Sequence, residues 1–159
     1  QTSKIFAKHG FFVRGGVTNG FMYHRGHVAF GPALLRAIHL ESKCAKFPRT
    51  ILDRTESDTI VAHPSHVQTV EGGKDTSHGS TFFDSDGWEV LDFLRMPKRF
   101  VRPDQSIEDV NKKFLASVHP HIFENLERFR GSEIGLKYEW LAGYFNSIAA
   151  ELGADEIIL

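Results

Sequence analysis

The chain has 159 residues, 41% of them hydrophobic and 25% charged, which suits a single domain with a core of its own. The formal net charge of −1 removes the usual argument for a nucleic-acid partner, a strongly basic surface. No apolar run approaches the roughly 20 residues that cross a bilayer, no secretory leader opens the chain, and the lone Cys44 cannot form an internal disulfide. We therefore expect a cytoplasmic protein with no nucleic-acid and no membrane partner.

The first predicted element is the end of a helix over residues 1–10. Lys4 and Lys8 favour a helix C-terminus through the helix dipole, and Gly10 suits the residue that ends it. Because the beginning of such a helix would lie upstream, we expect further residues before Gln1. The alternative is a short native helix that follows removal of the initiator methionine.

Short runs of β-type residues follow over 11–30 and predict two or three strands in a meander, with Asn19-Gly20 as a turn. The pattern then predicts, in chain order, a helix over 33–44 with Pro32 in its first turn, a strand over 49–52, a polar segment over 56–80, and a hairpin over 82–93. The polar segment reads as a short helix and a mobile loop, and the sequence leaves open whether it forms a lid.

The remainder is predicted to be helical. Ser106 and Asp109 resemble a capping box, and apolar residues at helical spacing follow. Pro120 interrupts that pattern, so either two helices or one kinked helix is possible. A last helix carries apolar residues on one face over 138–152. This order of elements predicts an α+β fold with an antiparallel or mixed sheet and helices against one face.

Two stretches carry a pattern known from a protein family. Residues 12–20 read Phe-Val-Arg-Gly-Gly-Val-Thr-Asn-Gly, and residues 30–42 read Phe-Gly-Pro-Ala-Leu-Leu-Arg-Ala-Ile-His-Leu-Glu-Ser. They resemble the catalytic domain of class III adenylate and guanylate cyclases, in which an Arg-x-Gly strand runs into a glycine-containing hairpin and an aromatic-Gly pair starts a helix that ends in Leu-Glu. Residues 48–51 resemble the next strand of that family.

The residues of these stretches, together with Lys-Tyr-x-Trp-Leu-Ala from residue 137 and Tyr-x-Asn from residue 144, are most similar to the cyclases of the Pycsar antiphage systems. The resemblance covers about residues 11–152 and implies a cyclase-like, ferredoxin-like core. It also implies a homodimer with sites at its interface. The implied activity is conversion of UTP or CTP to its 3′,5′-cyclic monophosphate and pyrophosphate as a defence signal.

The resemblance also implies two divalent ions, Mg or Mn, held by two aspartates on elements upstream of Gln1. No aspartate of this chain occupies a matching position, so none of its residues is assigned to a metal. We expect residues 1–100 to be the C-terminal part of the catalytic core and residues 101–159 to be a helical extension packed on the same domain.

The first stretch supplies three candidate site residues. Gly15 and Gly16 permit a close approach of backbone to a nucleotide, and Arg14 is a candidate catalytic residue that contacts phosphate oxygens. The structural alternative is that the glycines relieve crowding at a strand bulge and that Arg14 pairs with a carboxylate.

The second stretch supplies the remaining candidates. Phe30 and Gly31 precede the helix, and Pro32 stands where the resembling enzymes carry a base-selecting aspartate, which is consistent with a pyrimidine substrate. Leu35 and His39 stand where those enzymes carry an asparagine and an arginine, and a protonated His39 could partly replace the arginine. The structural alternative for His39 is a packed or exposed residue without a ligand.

Arg36, one helical turn after Pro32, is a second candidate cation for nucleotide binding. Two other patterns favour structure over metal binding: the histidine pairs of residues 63 and 66 and of 119 and 121 lack a completing ligand set, and Asp84-Ser85-Asp86-Gly87 lacks the glutamate that closes a calcium loop. Leu35 and His39 depart from the cyclase pattern, so a catalytically inactive module that binds a nucleotide or a protein is an alternative. A purine cyclase with an altered base pocket is another.

Overall fold

The computed structural model describes residues 2–53, 81–96 and 101–157. They form helices, a four-stranded mixed sheet and a two-stranded sheet, which confirms an α+β fold in general terms. The chain divides into two compact units, residues 14–91 (the strand unit) and residues 1–13 with 92–159 (the helical unit). The assignment of residues 1–100 to a catalytic core and of residues 101–159 to a helical extension stays a prediction. The predicted segment over 56–80, with the question of a lid, lies outside the described residues.

The described residues of the strand unit, 14–53 and 81–91, form six strands and one helix with a π-helical end. In chain order these are β1 (Gly15–Val17), β2 (Tyr23–Arg25), β3 (Val28–Phe30), α2 (Pro32–His39) with its π-helical continuation (Leu40–Cys44), β4 (Thr50–Leu52), β5 (Thr81–Phe83) and β6 (Glu89–Leu91). The helix predicted over 33–44, the strand over 49–52 and the hairpin formed by β5 and β6 are confirmed.

The three strands predicted over residues 11–30 are present, but the predicted meander is wrong for β1, which does not pair with β2. The order of the four-stranded sheet is β1-β4-β6-β5, with β1 parallel to β4 and the other pairs antiparallel. Strands β2 and β3 form a separate antiparallel hairpin. The physical reason is that α2 provides the crossover that a parallel pair requires, so β1 pairs with the strand after the helix and not with the next strand along the chain.

The buried apolar cluster of the strand unit lies between the sheet and the π-helical continuation of α2. Its members are Leu40, Ala45, Ile51 and Val90, and Cys44, Phe82 and Trp88 pack against it. Burial of these side chains holds the end of the second stretch, at Leu40, against strands β4 and β6.

The described residues of the helical unit form the helices α1 (Thr2–Lys8), α3 (Ile107–Arg128) and α4 (Glu133–Leu152). A helix is confirmed at the predicted position, and Gly10 after α1 has the positive φ of 79° that favours glycine. Ser106 occupies the N-cap of α3, but its side chain makes no capping hydrogen bond.

Pro120 does not divide the predicted helix, since α3 runs through it as one helix of 22 residues. An internal proline costs one backbone hydrogen bond, and buried side chains on both sides of it, Val118 and Ile122, hold the helix in place. None of the described helices combines the length and apolar character needed to cross a bilayer.

Candidate functional site

An open cleft of about 340 Å³ lies in the strand unit at the ends of β1 and β4 and at the start of α2. Its lining consists of Thr18, Asn19, Gly20, Phe21, Pro32, Ala33, Arg36 and Asp53. The register of the parallel pair explains the position, because Val17 lies opposite Leu52 and the next residue of each strand therefore emerges at the same sheet edge. The two stretches of the cyclase-like pattern meet in this cleft.

The polar floor of the cleft is built around Asp53, whose side chain is only 3% exposed. Arg36 donates to its carboxylate through two atoms, Nε to Oδ2 at 2.7 Å and Nη2 to Oδ1 at 2.9 Å. The Thr18 hydroxyl donates to Oδ2 at 3.0 Å. The hydrogen bond to Asp53 raises the pKa of Arg36. The guanidinium is therefore a fixed cation with a set orientation.

Arg14 does not line the cleft. Its Nε lies 2.5 Å from Oε1 of Glu41, and both side chains are partly exposed. The structure therefore contains the ion pair that was the structural alternative for Arg14. Contact between Arg14 and a phosphate stays a prediction.

Gly16 is placed where any side chain would collide with α2. A Cβ added there would lie 2.5 Å from the Cβ of Leu40 and 2.8 Å from the carbonyl oxygen of Ala37. At Gly15, an added Cβ would lie at 3.4 Å from Oγ1 of Thr50, which is a tolerable contact. The geometry therefore gives Gly16 a packing role that is independent of any ligand.

Phe30 and Gly31 connect the β2–β3 hairpin to α2. The Phe30 ring is exposed and stacks on Tyr23 with centroids 4.9 Å apart. Gly31 has a φ of 143°, and a Cβ on it would lie 2.7 Å from the Phe21 carbonyl oxygen. Gly31 therefore allows the hairpin to pass close to the start of α2, where Pro32 forms part of the cleft wall.

His39 and Leu35 both lie on α2 with exposed side chains, and neither lines the cleft. Of the predicted site residues, the structure brings Pro32 and Arg36 into the cleft. Four other residues of the cleft were not predicted from the sequence as site residues: Thr18, Asn19, Phe21 and Asp53. The position of Asp53 directly after a buried strand was the one available signal for it.

The described ranges contain no group of three or more His, Cys, Asp or Glu side chains that could hold a metal ion. His119 packs against the rings of Phe123 and Phe145, whereas His63 and His66 lie outside the described residues. The Asp84–Gly87 segment is the turn of the β5–β6 hairpin.

Both carboxylates of that turn bind Arg49, whose side chain has 0% exposure. The backbone N–H of Gly87 donates to the carbonyl oxygen of Asp84 at 2.8 Å, which confirms the interpretation as a β-turn. The ion pair with Arg49 also lowers the pKa of Asp86.

A second polar cluster lies inside the helical unit. The buried carboxylate of Asp92 accepts hydrogen bonds from the Tyr144 hydroxyl at 2.6 Å and from the Arg95 guanidinium at 2.7 Å. Lys4 donates from Nζ to the carbonyl oxygens of Phe93 and Arg95. Burial lowers the pKa of Lys4 to about 8 and raises the pKa of Tyr144 well above its usual range, with Asp92 adding to the second shift. These contacts fasten α1 to the segment around Asp92.

No protein-family model matches this chain, and no curated protein or solved structure matches it either. Its function therefore has to be inferred from the residues and their geometry. The cleft offers a fixed guanidinium, a side-chain amide and apolar walls, which are groups suited to binding a small polar ligand with a flat apolar part.

Proposed function

We propose that the protein is a class III-type nucleotide cyclase that converts UTP or CTP to its 3′,5′-cyclic monophosphate and pyrophosphate as an antiphage signal. The observation that carries the proposal is the meeting of both cyclase-like stretches at one cleft. Thr18 and Asn19 come from the first stretch, and Pro32 and Arg36 come from the second. Gly16 adds support, because the packing of β1 on α2 requires a glycine at that position of the motif.

The proposed reaction is an in-line attack of the ribose 3′-hydroxyl on the α-phosphate, with pyrophosphate as the leaving group. The Mg or Mn ions implied by the resemblance would neutralise charge on the phosphates. The described residues do not fit such an ion, because Asp53 already accepts hydrogen bonds from Arg36 and Thr18. The proposal therefore assigns this chain the nucleotide-holding wall of the site.

A homodimer with interfacial sites, located in the cytoplasm, is part of the proposal. Its support is a set of exposed apolar side chains on α2, on the β2–β3 hairpin and just before it, at Phe21, Met22, Tyr23, Val28, Phe30, Leu35 and Ile38. Exposed apolar surface of this kind is typical of association surfaces. The cyclase-like core is likewise proposed, with the mixed sheet as its support.

The direct test is incubation of the full-length protein with ATP, GTP, CTP and UTP in manganese, followed by mass spectrometry of the products. We expect a cyclic pyrimidine nucleotide. A cyclic purine product would keep the cyclase activity and overturn the substrate. The absence of product from all four nucleotides would overturn the activity itself.

The role of Arg14 can be separated from its ion pair by two matched variants. If Arg14 contacts a phosphate, Arg14→Ala lowers turnover at least about tenfold, as expected when a charge-stabilising donor is lost. Glu41→Gln breaks the same ion pair but keeps the cation, so turnover should stay near that of the parent protein. Equal turnover in both variants and the parent would remove Arg14 from the site. Both side chains are partly exposed, so neither change is expected to unfold the protein.

A cyclase-like module that binds a nucleotide without converting it is the second candidate. The favouring observation is Leu35, an aliphatic side chain that is 69% exposed where the resembling enzymes carry a hydrogen-bonding residue. Calorimetry that detects binding of a nucleoside triphosphate, together with no product in the assay above, would support this candidate. Product formation would exclude it.

A further inference from the structure

We propose that the cleft between the end of β1 and the start of α2 holds the nucleobase, and that Arg36 and Asn19 select uracil over cytosine. This inference rests on the proposed function, whose substrate it narrows to a uridine nucleotide. Asp53 has the role of a positioning residue, since its carboxylate accepts two hydrogen bonds from Arg36.

The charge of the cleft favours a base over a phosphate group. Among the described residues of the lining, Arg36 is the cation and Asp53 is the carboxylate, and this pair is neutral as a whole. A triphosphate carries several negative charges and would be repelled by the Asp53 carboxylate at short range. A neutral, planar ring meets no such opposition. The triphosphate therefore extends away from this cleft.

The geometry of Arg36 leaves hydrogen-bond donors available to a ligand. Its contacts with Asp53 use Nε and Nη2, and within the part of the chain that the structure describes no oxygen accepts a bond from Nη1. A guanidinium has donors and no acceptor, so it favours a carbonyl oxygen and disfavours an amino group. Because Asp53 fixes its plane, the preference is set before the ligand arrives.

Asn19 supplies the complementary group. Its exposed side chain lines the same cleft, and an amide offers an acceptor oxygen as well as donors. A donor beside an acceptor matches uracil, in which the O4 carbonyl stands next to the N3–H group. Cytosine carries an amino group and a bare nitrogen at these two positions, so the bond to Arg36 would be lost and the bond to Asn19 would require its amide to turn. The 74% exposed ring of Phe21 and the ring of Pro32 provide apolar walls for the flat base.

The test measures binding to the full-length protein with nucleotides that cannot cyclise because they lack the 3′-hydroxyl. We expect calorimetry to show that 3′-deoxy-UTP binds at least about tenfold more tightly than 3′-deoxy-CTP. In Arg36→Gln the preference should fall to within about threefold, through weaker binding of 3′-deoxy-UTP. Inorganic tripolyphosphate should bind the parent protein and Arg36→Gln equally well.

Two further variants, Asn19→Ala and Arg130→Gln, separate loss of base selectivity from loss of fold. Arg36→Gln removes the cation that pairs with the buried carboxylate of Asp53, so we expect this variant to have a lower free energy of unfolding. Asn19→Ala changes an exposed side chain and should also lose the preference, while Arg130→Gln, on a surface ion pair of the helical unit, should keep it. Circular dichroism of each variant separates loss of fold from loss of selectivity.

The outcomes for the inference and for the proposed function are distinct. An equal preference in the parent protein, Arg36→Gln and Asn19→Ala would overturn the inference, even if cyclic product is formed. A parallel loss of tripolyphosphate binding in Arg36→Gln would also overturn it, since Arg36 would then be a phosphate ligand. Uracil selectivity that depends on Arg36, in a protein that forms no cyclic product, would support the inference and refute the cyclase activity.

Discussion

The two compact units bury their side chains in different ways. In the helical unit, long helices bury apolar residues along their inner faces, as Leu115 on α3 and Ile148 on α4 illustrate. Among the described residues of the strand unit, the buried apolar cluster is small, and many apolar side chains of the hairpin and α2 are exposed. The comparison teaches that the strand unit depends on a few individual contacts, while its exposed apolar surface remains available for a partner or a ligand.

The largest expected effect comes from Arg49, which supports this comparison most directly. Arg49→Met removes a fully buried cation that binds Asp84 and Asp86 of the β5–β6 turn. Because the carboxylate of Asp84 then stays mostly buried without its cation, we expect a loss of about 3 kcal/mol in the free energy of unfolding. Urea denaturation measures it, and amide exchange at Val90 should report the loss within the strand unit.

The matched control for Arg49 is Arg102→Met. Arg102 also lies near a carboxylate, that of Asp104, but both side chains are more than two-thirds exposed. Exposed ion pairs contribute little, so the free energy of unfolding should change by less than about 0.5 kcal/mol. Equal effects of the two substitutions would show that burial of Arg49 is not what stabilises the strand unit.

Gly16 gives the next largest effect and tests how closely β1 and α2 must pack. In Gly16→Ala the new Cβ would collide with Leu40 and with the Ala37 carbonyl oxygen. Relief of such overpacking requires backbone movement, so we expect a loss of about 1–3 kcal/mol in the free energy of unfolding. Thermal or urea denaturation provides the measurement.

The helical unit offers the opposite case in Gly143, on α4. A Cβ at Gly143 meets no atom within 4 Å, so Gly143→Ala should be neutral or should stabilise by up to about 1 kcal/mol through helix propensity. A harmless Gly16→Ala would contradict the close packing of β1 on α2. It would also mean that packing does not explain the glycine at position 16, which would leave contact with a nucleotide as its explanation.

The same contrast governs how much the sequence could predict. The helical unit followed local signals, because apolar residues such as Phe114, Val118 and Ile122 repeat at helical spacing. Pro120 left two helices or one kinked helix open, and the structure has a single helix because tertiary packing outweighs one lost hydrogen bond. In the strand unit, the β5–β6 hairpin had a local turn signal, whereas a strand of three residues such as β1 carries no information about its partner.

The candidate site was predictable only in part for the same reason. Spacing along one helix sufficed to connect Arg36 with Pro32. Asp53 and Thr18 meet only because Val17 lies opposite Leu52 in a parallel pair that no local pattern reveals. A site assembled by strand register therefore requires the long-range pairing to be known first.

The smallest expected effect concerns Lys4, a buried charge that the helical unit tolerates. Its pKa is about 8 in the folded protein and 10.5 in the unfolded chain, so between these values the unfolded state binds more protons. The free energy of unfolding should therefore rise with pH, by about 1–2 kcal/mol between pH 8 and 9.5 from this group. Well below pH 8 the free energy of unfolding no longer changes with pH through this group, because Lys4 is then charged in both states.

The measurement compares urea denaturation of the parent protein and of Lys4→Met at pH 7.5, 8.5 and 9.5. Lys4→Met should lack the rise, whereas Lys8→Met, at an exposed position of the same helix, should keep it. Because the pKa of Tyr144 is raised in the folded protein, the unfolded state loses the Tyr144 proton first above about pH 10, and the free energy of unfolding then falls as pH rises. The pH range of the experiment therefore ends at 9.5. A rise that persists unchanged in Lys4→Met would mean that burial of Lys4 does not set this pH dependence. The helical unit would then resemble the strand unit in depending on few individual contacts.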